Sequence, residues 1–242
     1  AEWLGCADSE DFSLENARAA LAARTPEPLN PEGPRPHVVL MLMESLGVHL
    51  VPHHSPTFPV LDRFGEHWPE GWSWRRGLPE ANSTVGTVSV MGSGLPNRPN
   101  TTYLPQARLA QISFRTAPAA QFHAAGYETI FVYGGNTTWR KFDQFLPRQG
   151  FDRVEGLPAI HAALGLGEEG QAFWKTYDEN LFAYLHQILR DAKRPVFLVV
   201  LTATNHPPFE WLERFGLPTL TPPPELAGVL DSGAPTGRLK GI

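Results

Sequence analysis

Residues 37–45 read HVVLMLMES. The nearly unbroken apolar run from His37 to Met43, with Pro36 before it and polar residues after it, predicts a β-strand buried on both faces. A half-buried strand would alternate polar and apolar side chains instead. Polarity switches at Glu44-Ser45, at the carboxyl end of this strand. In open α/β sheets ligands bind outside the carboxyl ends of the strands, which makes Glu44 a candidate site residue.

Outward from that stretch the pattern repeats. Residues 127–133 (YETIFVY) predict a strand broken by Gly134-Gly135, and residues 195–202 (PVFLVVLT) predict another that runs into Thr204-Asn205-His206. Between the strands lie helical patterns. A short helix is expected over Ser13–Ala23. A second covers Thr57–Phe64, with Leu61 and Phe64 as inward anchors. A third starts near Thr84, where Asn82 and Ser83 are good N-caps. A fourth spans Ala117–Ala125 and is ended by Gly126. A fifth spans Glu179–Leu189, with Leu181, Leu185 and Ile188 on one face. Alternating strands and helices predict an α/β fold with a mostly parallel central sheet and helices on both faces. The domain expectation is an N-terminal helix and Pro-rich linker over residues 1–36, followed by one domain over 37–242. After Pro207 the chain reads as irregular and proline-rich, and TLTPPPE (219–225) as a stiff loop.

The chain has 242 residues, 42% apolar and 19% charged, which suits a globular fold with a sizeable core. Its 24 prolines are about twice ordinary usage and point to long ordered loops. A net charge of -5 argues against a nucleic-acid-binding surface, though not against a local cationic pocket. No apolar stretch approaches the roughly 20 residues that span a bilayer. The first residues lack the basic and apolar regions of a signal peptide. The lone Cys6 excludes an internal disulfide; its Leu4-Gly5-Cys6 setting reads as an ordinary thiol rather than a lipid-anchor site.

Four polar segments would converge at one edge of such a sheet: Glu44-Ser45, Asn82-Ser83-Thr84, Gly134 to Lys141, and Thr204-Asn205-His206. A carboxylate at a buried strand end is costly unless paired or metal-bound, so Glu44 is either a ligand for a divalent cation or a capping or ion-paired group. Thr84 at a helix start is either a nucleophile, favoured by the backbone N–H groups and the positive end of the dipole, or simply a cap. His206, held between Asn205 and two prolines, either contacts a phosphoryl oxygen or donates to a nearby carbonyl. Trp139, Arg140 and Lys141 form either a phosphate and head-group pocket or the start of an amphipathic helix with Trp139 in the core and the cations solvated. His49, His53, His54 and His67 crowd the segment after Glu44, but their spacing matches no standard zinc pattern, and solvated loop histidines are the simpler reading.

Taken together, four blocks resemble the lipoteichoic acid synthase and phosphoglycerol transferase family of the sulfatase (alkaline phosphatase) superfamily: HVVLMLMESLG, NSTVGTVSVMGSGLP, AAGYETIFVYGGN continuing through Trp139 to GFDRV, and VFLVVLTATNHPPF. The resemblance runs from about Pro36 to Phe209. It implies an extracytoplasmic, metal-dependent transferase or hydrolase acting on phosphodiester head groups of the phosphoglycerol or phosphoethanolamine type. Thr84 would be the nucleophile that forms a phosphothreonyl intermediate. Glu44 and Thr84 would bind one divalent metal ion, Mn or Mg first and Zn as an alternative. His206, Asn205, Trp139, Arg140 and Lys141 would bind the substrate. The family's arginine follows its tryptophan by two residues, where this chain has Lys141, with Arg140 beside it. The implied partners are an anionic phospholipid head group or a phosphorylated glycan, and a membrane reached through a segment absent from this chain. Threonine where sulfatases carry a modified Cys or Ser favours phosphate over sulfate chemistry. The alternatives are a sulfatase and a non-catalytic module that binds phosphate head groups. The family completes its metal site with a later Asp-His pair, yet this sequence has no histidine after His206. The expectation is therefore a fold truncated at its C-terminus, without the segment that carries those ligands, or else a chain not competent as given.

Overall fold

The computed structural model describes residues 33–73, 81–97, 100–167 and 170–206, together with 221, 223, 224 and 226. The chain divides into two units, Ala1–Arg35 and Pro36–Ile242. Only residues 33–35 of the first unit are described. The helix expected over 13–23 lies outside the described residues, as does most of the expected linker and nearly all of the proline-rich region after His206.

The second unit is organised by a four-stranded sheet built from β1 (Val38–Leu42), β2 (Glu128–Tyr133), β3 (Arg153–Glu155) and β6 (Val196–Leu201). The spatial order is β1-β6-β2-β3, and every pairing is parallel. A separate antiparallel hairpin pairs β4 (Gln171–Ala172) with β5 (Lys175–Thr176). Neither β3 nor this hairpin is signalled by an apolar run; both are too short and too polar for one.

The two inner strands explain the continuous apolar runs. Side chains alternate across a strand, so a strand covered on both faces needs apolar residues at every position. On one face Phe131, Tyr133, Phe197, Val199 and Leu201 pack with Val85 and Val88 of α2 (Thr84–Ser93), Ala119 of α3 (Pro118–Ala124), and Phe142 and Phe145 of α4 (Phe142–Phe145). On the other face Ile130, Val132, Leu198 and Val200 pack with Ile160 of α5 (Leu157–Leu164) and with Leu181, Tyr184, Leu185 and Ile188 of α6 (Asp178–Asp191). Helices thus cover both faces of a parallel sheet, as the sequence pattern predicts.

Two expectations are corrected. Strand β1 is not buried on both faces: Val39, Leu40 and Met41 are 43%, 40% and 37% exposed. Among the described residues the strand pairs with β6 along one side only and lies at the edge of the sheet. An apolar run reports that a strand tolerates burial; whether it is buried depends on what packs over it. The helix expected over Thr57–Phe64 forms instead as α1, Asp62–His67. Phe58 pairs back to Ser55, which holds the preceding residues in a turn. The later start turns Phe64 outward, 43% exposed and edge-on to Trp68 at 5.4 Å, and leaves Phe58, Val60 and Leu61 as the inward anchors.

Helix α2 is short-sided by design of its sequence, TVGTVSVMGS. A Cβ on Gly92 would stand 2.9 Å from Leu146 Cδ2 and 3.0 Å from Phe145 Cε1, so glycine lets the helix lie this close to both side chains without displacing them. Gly94, at φ +69, caps the helix in the left-handed conformation that glycine adopts at no steric cost.

Candidate active site

Glu44 lies in the turn directly after β1. Its backbone N–H donates to Thr202 Oγ1 at 2.8 Å, and the Thr202 N–H donates to Leu42 O at 3.1 Å. The ends of β1 and β6 are thereby locked together. Ser45 adopts φ +57, a left-handed conformation that costs a non-glycine residue about 1–2 kcal/mol. Its hydroxyl donates to Glu44 Oε1 at 3.0 Å.

Ser83 is the N-cap of α2, as the sequence suggests: its Oγ accepts from the Gly86 N–H at 3.3 Å. With Ser83 as the cap, Thr84 is the first helical residue and its hydroxyl is free of capping duty. That hydroxyl donates to Glu44 Oε2 at 3.4 Å, a long contact across 40 positions of chain. The pair opens into a cleft of about 430 Å³ whose lining includes Met43, Glu44, Asn82, Ser83, Thr84 and Thr87.

Tyr133, the last residue of β2, belongs to the same region. Burial pushes its phenol far above the ordinary tyrosine range, and the negative charge of Glu44 pushes it further the same way. The phenol therefore stays protonated and remains a hydrogen-bond donor at every working pH. Trp139 packs on Tyr133 at 6.3 Å from one side and Trp174 at 6.4 Å from another, and Trp174 meets the His206 ring edge-on at 5.0 Å. An aromatic wall thus runs Trp139–Tyr133–Trp174–His206, and its Tyr133 feels the charge of Glu44. Sequence reasoning missed Tyr133 and Trp174. The signal for Tyr133 was its position as the last strand residue before Gly134-Gly135; Trp174 had none, since the hairpin that carries it is visible only in three dimensions. The glycines matter sterically here: a Cβ on Gly135 would stand 2.6 Å from the Tyr133 ring, and one on Gly134 would stand 3.0 Å from Ala203 Cβ.

The segment after Gly135 takes neither form expected of it in full. Trp139–Lys141 is a short 3-10 turn with Arg140 and Lys141 both at positive φ, not the start of an amphipathic helix. Trp139 is 40% exposed, leaning edge-on against Phe142 at 5.4 Å. The Arg140 guanidinium lies 5.3 Å from the Trp139 ring and donates to Gln106 Oε1 at 3.2 Å, while Lys141 is exposed. Asn205 and His206 sit half-buried in the turn after β6, where the His206 N–H donates to Ala203 O at 3.1 Å. Glu44 and Thr84 are in direct contact; of the other candidates, Trp139 and His206 stand at the two ends of the aromatic wall, and Arg140 lies beside Trp139. Of the clustered histidines, His54 Nδ1 accepts from the Leu61 N–H at 3.2 Å and His67 Nδ1 lies 3.3 Å from Glu70, so these two serve local structure. Among the described residues no group of three or more His, Cys, Asp or Glu side chains could hold a metal, and no helix is long and apolar enough to cross a membrane.

Asp178, at the start of α6, faces the same loop. Its carboxylate accepts from the Ala203 N–H at 2.8 Å and the Thr204 N–H at 3.2 Å. Burial raises its pKa, partly opposed by these amides and by the charge of Lys175. A carboxyl whose folded pKa lies above its unfolded value contributes stability at low pH and loses that contribution as pH rises through the folded value. Wild type should therefore lose ground to Asp178→Asn as the pH rises from the ordinary aspartate value of about 4. Urea midpoints of the two proteins over that rise measure this; a difference independent of pH would contradict it.

A parallel sheet covered by helices on both faces is an architecture this chain shares with the alkaline phosphatase superfamily. The family model described as Sulfatase matches residues 36–218, and the chain belongs to the sulfatase family. Among solved structures it is similar to a protein in the alkaline phosphatase superfamily from Vibrio parahaemolyticus, at 26% identity and TM-score 0.62 over 75% of this chain and 43% of that one. It shares its fold with the lipoteichoic acid synthase LtaP from Listeria monocytogenes, at 13% identity and TM-score 0.58 over 86% of this chain and 48% of that one. The same holds for the C-terminal periplasmic domain of EcEptC from Escherichia coli, solved in complex with Zn, at 15% identity and TM-score 0.55 over 87% of this chain and 57% of that one. The chain thus matches about half the length of each of these structures.

Proposed function

We propose that this chain is the extracytoplasmic catalytic part of a metal-dependent enzyme that transfers phosphoglycerol- or phosphoethanolamine-type head groups, with Thr84 as its nucleophile. The observation that carries the reading is the 3.4 Å contact between Thr84 Oγ1 and Glu44 Oε2 beside the cleft. Family membership and the fold shared with LtaP and the EcEptC domain support it.

Oxygen donors such as a carboxylate and a hydroxyl are what Mn or Mg takes, and Zn also accepts them, so Glu44 and Thr84 fit as part of a divalent-metal site. When bound there, the cation would supply charge stabilisation and a lowered hydroxyl pKa. The rest of the chemistry falls to the chain. Thr84 Oγ1 forms a bond to phosphorus while the bond from phosphorus to the diacylglycerol oxygen breaks. The Thr84 proton, which has Glu44 Oε2 as its nearest acceptor, ends on that leaving oxygen. An acceptor hydroxyl, or water, then attacks the phosphothreonyl group, and its proton returns to Thr84. The N-terminus of α2 offers backbone N–H groups and a positive dipole end to the phosphoryl oxygens. Asn205 and His206 would contact the phosphate, and Trp139 with Arg140 or Lys141 would hold the head group. Tyr133, protonated throughout, adds a fixed donor.

The full-length protein, incubated with phosphatidylglycerol and Mn²⁺ and digested without an acceptor, should yield the Thr84 peptide carrying one glycerophosphoryl group by mass spectrometry. Modification of a different residue, or none in a protein that turns over lipid, would refute Thr84 as nucleophile. Binding of sn-glycerol-1-phosphate without turnover would favour a head-group-binding module.

A further inference from the structure

Where β6 ends, the backbone leaves the sheet and its polar groups must find partners elsewhere. Besides the His206 N–H, which donates to Ala203 O within the turn, four of those of residues 203–206 find them on a single segment, Trp174–Asp178. Lys175 is wholly buried, and its Nζ donates to Thr204 O at 3.0 Å and His206 O at 2.8 Å. Asp178 takes the Ala203 and Thr204 amides on its two carboxylate oxygens, and its own N–H donates to Thr204 Oγ1 at 2.8 Å. The ring of Trp174 lies edge-on to the His206 imidazole. The hairpin is itself moored to the site, since the Thr176 N–H donates to Gly134 O at 2.7 Å.

Burying an ammonium group is expensive, and a methionine or leucine would fill the same space without that cost. What an apolar residue cannot do is grip two carbonyls of one turn from beneath while a carboxylate grips two of its amides. We infer that Lys175 and Asp178 are positioning residues, which together fix the 203–206 turn and so hold the His206 imidazole edge-on against Trp174 at the end of the aromatic wall. Neither side chain touches the candidate reacting groups; both act through the loop. The geometry stands independently of the threonine chemistry, and only its consequence for phosphate binding rests on the proposed function.

Two readouts separate these. The first is structural: an NMR NOE between the Trp174 indole and the His206 imidazole in the full-length protein. It should be present in wild type and in Phe173→Ser, a change at a 90% exposed neighbour, and lost in Lys175→Met and Asp178→Asn. Its persistence in both of those variants would overturn the inference. Should Lys175→Met fail to fold, Thr204→Val, which removes only the hydroxyl that accepts the Asp178 amide, carries the same test. The second readout is the affinity for sn-glycerol-1-phosphate with Mn²⁺ present. Lys175→Met and His206→Ala should each weaken it about tenfold, and the double variant should be no weaker than His206→Ala alone. Additive losses would overturn the positioning role, because Lys175 would then act without His206. An affinity unaffected by His206→Ala, with the NOE lost in Lys175→Met, would refute the phosphate role of His206 and uphold its positioning.

Discussion

Thr84→Ala in the full-length protein should lower turnover of a phosphatidylglycerol substrate by about 10⁴-fold or more, the scale on which removal of a catalytic nucleophile acts. It should do so with almost no loss of stability. Thr84 is only half-buried, its one described side-chain hydrogen bond is the long contact to Glu44, and the cap of α2 belongs to Ser83. Alanine is also the best helix former for the first turn it would enter. Initial rates with a labelled lipid, set beside a thermal melt of the same sample, read both halves of the expectation. A variant that retains substantial turnover would remove Thr84 from the mechanism. One that unfolds would show that the residue holds the cleft together.

The opposite signature is expected of Phe131→Ala. Phe131 has no exposed surface, lies in the middle of β2, and meets Phe142 and Phe151 edge-on at 6.1 Å each. Its removal leaves a cavity between the sheet and α4, and Phe-to-Ala changes at such sites cost about 3–5 kcal/mol. For a protein with a typical stability of roughly 5–15 kcal/mol that is a large fraction of the total. Urea denaturation should show a lower midpoint with an unchanged slope. A loss under about 1 kcal/mol would mean that the core closes over the gap.

The contrast between these two positions also separates what was readable from what was not. The strand at 127–133 and the strand at 195–202 were legible because covered parallel strands need apolar residues on both faces, and no other element asks for that over so short a run. The start of α2 was legible because a cap has a chemical signature, and Ser83 makes the bond that the signature predicts. The same logic misjudged β1, whose composition matches that of the inner strands although among the described residues it lies at the edge. It misjudged Phe64 because a shift in where a helix begins rotates every residue after it. The Trp139–Lys141 turn was illegible because positive φ at two successive basic residues is imposed by neighbours, not by their own preferences.

At the site, the residue types and their order along the chain were set by the sequence itself: a carboxylate after one strand, a hydroxyl at a helix start, a histidine after another strand. Their meeting was not. Glu44 and Thr84 come within 3.4 Å because β1 and β6 are tied through Thr202, and because glycines let α2 settle against α4. Tyr133 and Trp174 join them only through packing, and Lys175 reads in the sequence as one more surface cation. Local pattern determines which element a residue belongs to, since propensity and periodicity act over a few neighbours. Which elements touch is decided by side chains far apart in the chain filling one shared volume, and that information exists only in the folded structure.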